Sequence, residues 1–208
     1  MIHTYSFSEP GGHIINEDAF VLRPLAEMPD YWMACIADGQ GGRAGGAKAA
    51  QLACIVCAER VQDIHANWQD VLTIADQTVA TNTDAGFTTV AAFIVGENAV
   101  RGASCGDSAV IAVSAGREPE VLTSRQYKNP PVGSGEAAFV PFTVRLEPPW
   151  KVLAVTDGVW KYAGWPRLFE FATSLKGEEL IAELQNAARL RVSHEFPDDF
   201  TIILLQCE

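Results

Sequence analysis

Residues 36–50, IADGQGGRAGGAKAA, end an apolar run on one carboxylate, Asp38, and follow it with five glycines in eight residues. Asp-Gly is an ordinary turn dipeptide, so this stretch alone allows a tight turn as readily as a place where backbone approaches an ion. Other acids in the same setting shift the balance. Asp107 sits in ASCGDSAVIAV, Asp157 follows VLAVT and precedes Gly158, Asp198 and Asp199 precede FTIILL, and Glu17 and Asp18 stand in NEDAF before another apolar run. Carboxylates at strand boundaries that a sheet draws together repel one another unless protons or cations compensate them. Hard divalent ions, Mg²⁺ or Mn²⁺, take oxygen ligands and keep waters. Gly39 could turn its carbonyl inward as a further oxygen ligand with no side chain in the way. Asp38 could bridge two ions, with Asp157 and Asp198 on one and waters held by Glu17 and Asp18 on the other. Such a binuclear site supplies a nucleophile at neutral pH and a clamp for a phosphoryl group.

The elements that must position these acids can be read from periodicity. Apolar alternation predicts strands at HTYSF, AFVL, YWMACIA, TTVAAFIV, AVRGASCG, AVIAVSAG, KVLAVTDG and FTIILLQ. Helical patterns run over about residues 45–64, apolar almost all round and expected to be buried, and over about 68–81 and 178–191, with a shorter helix at 165–174. Strands, two helices, a long run of strands, then helices and a last strand predict an α+β domain with largely antiparallel sheets. Residues 125–149, rich in Pro and Gly, read as a surface loop or an excursion over a site.

Composition excludes several classes. Fifteen basic against twenty-six acidic residues give a net charge of -11, and no Lys/Arg cluster is present to follow a phosphate backbone, so nucleic acid is not an expected partner. No apolar run approaches the ~20 residues of a membrane span, and MIHTYSFSEP lacks the pattern of a signal peptide. Five cysteines, an odd number in apolar company, fit reduced core thiols in a cytoplasmic protein. Cys54 and Cys57 form a CxxC with no second ligand pair at zinc spacing, which favours core packing. His3, His65 and His194 stand apart with no metal spacing. No Ser-His-Asp arrangement supports a covalent serine mechanism.

In order, NEDAF, ADGQGG, TTVAAFIV, CGDSA, VTDGVW and DDFT resemble the motifs of the metal-dependent protein phosphatases of type 2C, in the bacterial form. The resemblance runs from about residue 12 to residue 205. It implies one phosphatase domain over residues 1–208, built as two stacked antiparallel β-sheets flanked by helix pairs, an αββα sandwich. It implies hydrolysis of phosphoserine and phosphothreonine on proteins, with a cognate Ser/Thr kinase as the source of substrate, in cytoplasmic signalling. It also implies two Mn²⁺ or Mg²⁺ ions and a weaker third. Asp38 corresponds to the bridging ligand, Gly39 to the carbonyl ligand, Asp157 and Asp198 to ligands of the first ion, and Asp107 to the ligand of the third. Glu17 and Asp18 correspond to the acids that hold metal-bound water.

The departures fall on substrate contacts. His13 stands four residues before Glu17, where the family has an arginine for the substrate phosphate. Gln40 stands where some members carry a histidine proposed as general acid, GDSA lacks a following arginine, and the flap before VTDG is short. Trp160 and Trp165, beside that motif, are candidates for a role near the site. A second reading is a catalytically weak relative that binds phosphoproteins and regulates by occupancy.

Overall fold

The computed structural model of the chain describes residues 1–12, 14–40 and 44–208. Its strands are β1 (Ile2–Glu9), β2 (Asp18–Leu25), β3 (Met28–Asp38), β4 (Val90–Val95), β5 (Ala99–Cys105), β6 (Ala109–Ser114), β7 (Glu120–Val121), β8 (Val140–Arg145), β9 (Trp150–Val155) and β10 (Phe200–Cys207). Its helices are α1 (Gly46–Arg60), α2 (Trp68–Ala80), α3 (Asp157–Ala163), α4 (Trp165–Ser174) and α5 (Gly177–Ala188). Two five-stranded antiparallel sheets result, in the orders β1-β10-β9-β6-β7 and β2-β3-β4-β5-β8.

The central strands are largely apolar because both of their faces are covered. In β3, Ala34 and Ile36, beside Phe93 of β4, point to the other sheet, where they meet Val110, Val152 and Ile203. The alternate residues Met33, Cys35 and Ala37 point outward onto α1 and α2. The outer face of the first sheet buries Leu153, Ile202 and Leu204 against Leu168, Leu180 and Leu184 of α4 and α5. Successive side chains of a strand face opposite ways, so a doubly covered strand takes apolar residues on both faces, and its few polar ones, Lys151, Thr201 and Gln206, are hydrogen-bonded. The layer order is therefore helices, sheet, sheet, helices, the αββα sandwich that the family resemblance implies.

Three expectations are corrected. The expected strand KVLAVTDG ends at Val155, and Asp157 opens α3, a helix start signalled by Thr156 at the cap and an acid in the first turn. Residues 125–149 are not all loop, since β8 pairs with β5 along its whole length. Pro141 and the solvent face of this edge strand hide its pattern. Helix α1 is buried on one side only, through Ala49, Ala50, Ala53, Cys54 and Cys57, and leaves Lys48, Gln51, Ile55 and Glu59 as a solvent stripe.

Candidate metal centre

The ends of β3, β5, β9 and β10 that carry the acids open on one cleft of about 370 Å³, lined by Glu17, Asp38, Asp107, Asp157, Asp198 and Asp199. Asp38 closes β3 and Asp18 opens β2, and the two are register partners. The Asp38 backbone is held from both sides: its N–H donates to Thr89 Oγ1 at 2.9 Å, and its carbonyl accepts from Thr88 Oγ1 at 2.8 Å. Thr89 Oγ1 in turn lies 2.8 Å from Ser108 Oγ, which ties the carboxylate's strand to the turn that carries Asp107.

Asp157 enters from the first turn of α3, where the helix N-terminus favours negative charge. Gly158 lets that turn sit on β10, because a Cβ there would stand 2.0 Å from the Asp199 carbonyl oxygen. Gly39 is similarly confined: a Cβ would fall 2.4 Å from the Gly46 backbone and 2.6 Å from the Glu17 carbonyl. The glycines after Asp38 thus allow α1 to start directly against the cleft floor, and Gly39 N–H donates to the Glu17 carbonyl at 3.1 Å.

Asp38, Asp107 and Asp157 each offer an oxygen, and these oxygens lie within 4.8 Å of one another. The grouping differs from the one the motifs imply, in which Asp198 joins Asp38 and Asp157 while Asp107 serves a separate ion. Asp198 lies on the same cleft wall, but its Oδ1 accepts from Asp199 N–H at 3.1 Å and its Oδ2 stands 3.7 Å from Lys161 Nζ. Asp199, beside it, is an anchor: its carboxylate accepts from Gly11 N–H at 2.8 Å and Glu17 N–H at 2.6 Å, fixing the β1–β2 loop to β10. Asp18 is half-buried and accepts from Thr156 Oγ1 at 2.9 Å. Glu17 lines the cleft, with its carboxylate against Gly46. His13 lies outside the described residues.

The crowding is visible in the acids' affinity for protons. Burial first, then the charges of Asp18 and Asp157, push Asp38 up to about 9. Burial pushes Asp18 up to about 7 against the hydrogen bonds from Thr201 and Thr156. Asp157 is raised as well, by burial. Carboxylates that hold protons this firmly are the groups a cation would relieve, and an all-oxygen donor set suits a hard divalent ion.

Two lysines escape a reading based on acids alone. Lys128 forms an ion pair with Asp107, and Lys161 donates to Asp157 Oδ2 at 2.9 Å, one helical turn apart. Lys128 rides on residues 125–139, a segment pinned at several points. Gly106 N–H donates to the Tyr127 carbonyl, and Val132 exchanges two backbone hydrogen bonds with Thr88. The buried carboxylate of Asp76 in α2 accepts from the N–H groups of Gly133, Gly135 and Ala137. An apolar-stripe reading of α2 gives no signal for Asp76, because its partners lie more than fifty residues away. Of the tryptophans, Trp160 donates from Nε1 to the Asp107 carbonyl at 3.1 Å and stacks on Trp165 at 5.5 Å. It braces the turn carrying that acid.

A two-sheet sandwich with helices on both faces and a cleft of convergent carboxylates defines the metal-dependent phosphatase class of fold. Residues 28–208 match the family model described as Stage II sporulation protein E (SpoIIE), and the chain belongs to that family. No curated protein matches it by sequence. Its fold is similar to that of serine/threonine phosphatase Stp1 from Staphylococcus aureus, at a TM-score of 0.82 and 18% identity over 100% of this chain and 96% of that one. It is similar also to the Mycobacterium tuberculosis serine/threonine phosphatase PstP/Ppp, at 0.79 and 18% over 100% and 99%. RsbX, solved in complex with magnesium, matches at 0.79 and 16% over 100% and 96%.

Proposed function

We propose that residues 1–208 form one phosphatase domain that hydrolyses phosphoserine and phosphothreonine on proteins with Mn²⁺ or Mg²⁺. The observation that carries this reading is the meeting of Asp38, Asp107 and Asp157 within 4.8 Å at the floor of an open cleft, from three separate parts of the chain. Bound divalent ions would supply a nucleophilic water at neutral pH and neutralise charge on the phosphoryl oxygens. Asp38 is assigned as the shared ligand, Asp157 and Asp198 as its partners on one ion, Asp107 as the ligand of a further ion, and Gly39 as a carbonyl ligand. Glu17 and Asp18 would hold the surrounding waters. Lys128 and Asn129, which also line the cleft, would face the phosphate's outer oxygens. His13 is assigned to the same phosphate as a single-donor substitute for arginine.

A cognate Ser/Thr kinase would supply the substrate, and the setting proposed is bacterial cytoplasmic signalling. The five free and buried cysteines suit a reducing compartment, and among the described residues no helix is long and apolar enough to cross a membrane. The test is hydrolysis of a phosphothreonine peptide by purified protein with Mn²⁺ and with chelator. Turnover that requires the metal is expected; tight peptide binding without turnover would replace the enzyme by a phosphoprotein-binding domain.

A further inference from the structure

On the β1–β2 and α5–β10 connections, four aliphatic side chains stand in water. Ile14 is 99% exposed, Ile15 66%, Leu190 48% and Val192 93%. Ile14 and Leu190 line opposite sides of a groove of about 700 Å³ whose floor includes Gly11, Phe196 and Pro197. The groove is built. Arg189 donates to Glu9 Oε2 at 2.9 Å and to the His194 carbonyl at 2.9 Å, and its guanidinium lies 3.8 Å over the Phe196 ring. Leu190 N–H donates to the Glu195 carbonyl and His194 N–H to the Leu190 carbonyl, closing a turn with Val192 at its tip.

Groups of aliphatic side chains held in solvent at the rim of a groove mark docking surfaces. Continuity identifies the occupant. Pro197 in the groove precedes Asp198 in the cleft, and Gly11 in the groove is hydrogen-bonded to Asp199, which lines the cleft. A polypeptide whose phosphorylated side chain enters the cleft can therefore continue into this groove. Of the groove's charged groups, Glu9 and Arg189 pair with one another and Glu195 adds one acid at the edge, which leaves the aliphatic side chains as the main basis of selection. The chain's net charge of -11 disfavours an acidic segment.

We infer that the groove between the β1–β2 loop and the α5–β10 turn receives the segment flanking the phosphorylated residue of a protein substrate, and selects aliphatic side chains there. This rests on the phosphatase reading above, and the experiment separates the two. Hydrolysis is measured with Mn²⁺ on p-nitrophenyl phosphate, too small to reach the groove, and on two phosphothreonine peptides. The peptides differ only in carrying Leu and Ile or Ser within five positions of the phosphothreonine. The aliphatic peptide is expected to have the higher kcat/KM, and L190S/V192S to reduce its kcat/KM relative to p-nitrophenyl phosphate about tenfold, the loss of roughly two half-buried aliphatic contacts. The serine peptide should lose less than twofold on the same scale. Hydrolysis of p-nitrophenyl phosphate with equal kinetics on both peptides would overturn the docking inference and leave the phosphatase reading standing. No hydrolysis of any substrate would overturn that reading and the inference with it. A dimer in sedimentation that L190S/V192S dissolves, with no peptide preference, would assign the face to a second copy of the chain instead.

Discussion

Asp18 and Asp38 are cross-strand partners at the open ends of β2 and β3, and the charge of Asp18 adds to burial in raising the proton affinity of Asp38. Directly opposed residues on an antiparallel pair share a face, and like charges placed so are destabilising. The sheet thus holds two acids together that would separate in water. The site's pH behaviour and its demand for cations follow from that pairing.

Both acids titrate above their ordinary 3.8, Asp18 at about 7 and Asp38 at about 9. The folded chain keeps protons that the unfolded chain has released, so the stability they contribute is full below about pH 4 and is lost as pH rises toward 9. Without metal, the melting temperature is expected to fall from pH 5 to pH 9. Mn²⁺ should raise it more at pH 8 than at pH 6, because the ion replaces the protons. Asp38→Asn should flatten the metal-free fall and weaken Mn²⁺ binding, with a loss of roughly a hundredfold or more in hydrolysis. Calorimetry in chelator and in Mn²⁺ checks each point, and a metal-free melting temperature that climbs with pH would contradict the assignment.

Lys128 forms an ion pair with Asp107 and should compete with a cation there. The lysine is mostly exposed, so the pair is worth only a fraction of a kcal/mol to about 1 kcal/mol. Lys128→Met is accordingly expected to tighten Mn²⁺ binding about two- to fivefold by isothermal titration. If Lys128 also meets the substrate phosphate, KM for a phosphopeptide should rise in the same variant.

Asp76, buried in α2, carries three backbone N–H groups of the segment that holds Lys128. Asp76→Ala leaves those donors without their acceptor and should cost on the order of 3 kcal/mol, measured by urea unfolding. Proteolysis should then cut first within residues 125–139. Uniform loss of protection across the domain would instead make Asp76 a general core group.

His13→Arg should lower KM for a phosphopeptide, since a guanidinium offers two directed donors where an imidazolium offers one. His13→Ala should raise KM, and the parent's KM should be higher at pH 8 than at pH 6 where a protonated imidazole makes the contact. Steady-state kinetics at pH 6 and pH 8 separate these outcomes, and identical values for all three proteins would leave the phosphate to other groups.

The central strands and the helices were legible in the sequence, because doubly covered strands such as β3, β4, β9 and β10 carry long apolar runs and α2 and α5 a stripe, whereas the stacking of two sheets came from the family resemblance. Edge elements were not: β8 has one solvent face and a proline, and two-residue β7 has no pattern to detect. The acids themselves were legible too, as carboxylates where apolar runs end. Which of their side chains lie nearest one another is a property of the tertiary structure. Asp107 rather than Asp198 comes within 4.8 Å of Asp38 and Asp157, because Ser108 and Thr89 draw the β5–β6 turn onto β3 while Asp198 turns toward Lys161. Asp199, adjacent in sequence and identical in type, became a backbone anchor, and Lys128 reached the site only through a segment fastened to α2. A sequence pattern records which face a residue must bury, since that depends on its near neighbours along the chain. Which charges meet depends on side-chain directions at strand ends fifty or more residues apart, and only the packed sheets determine those.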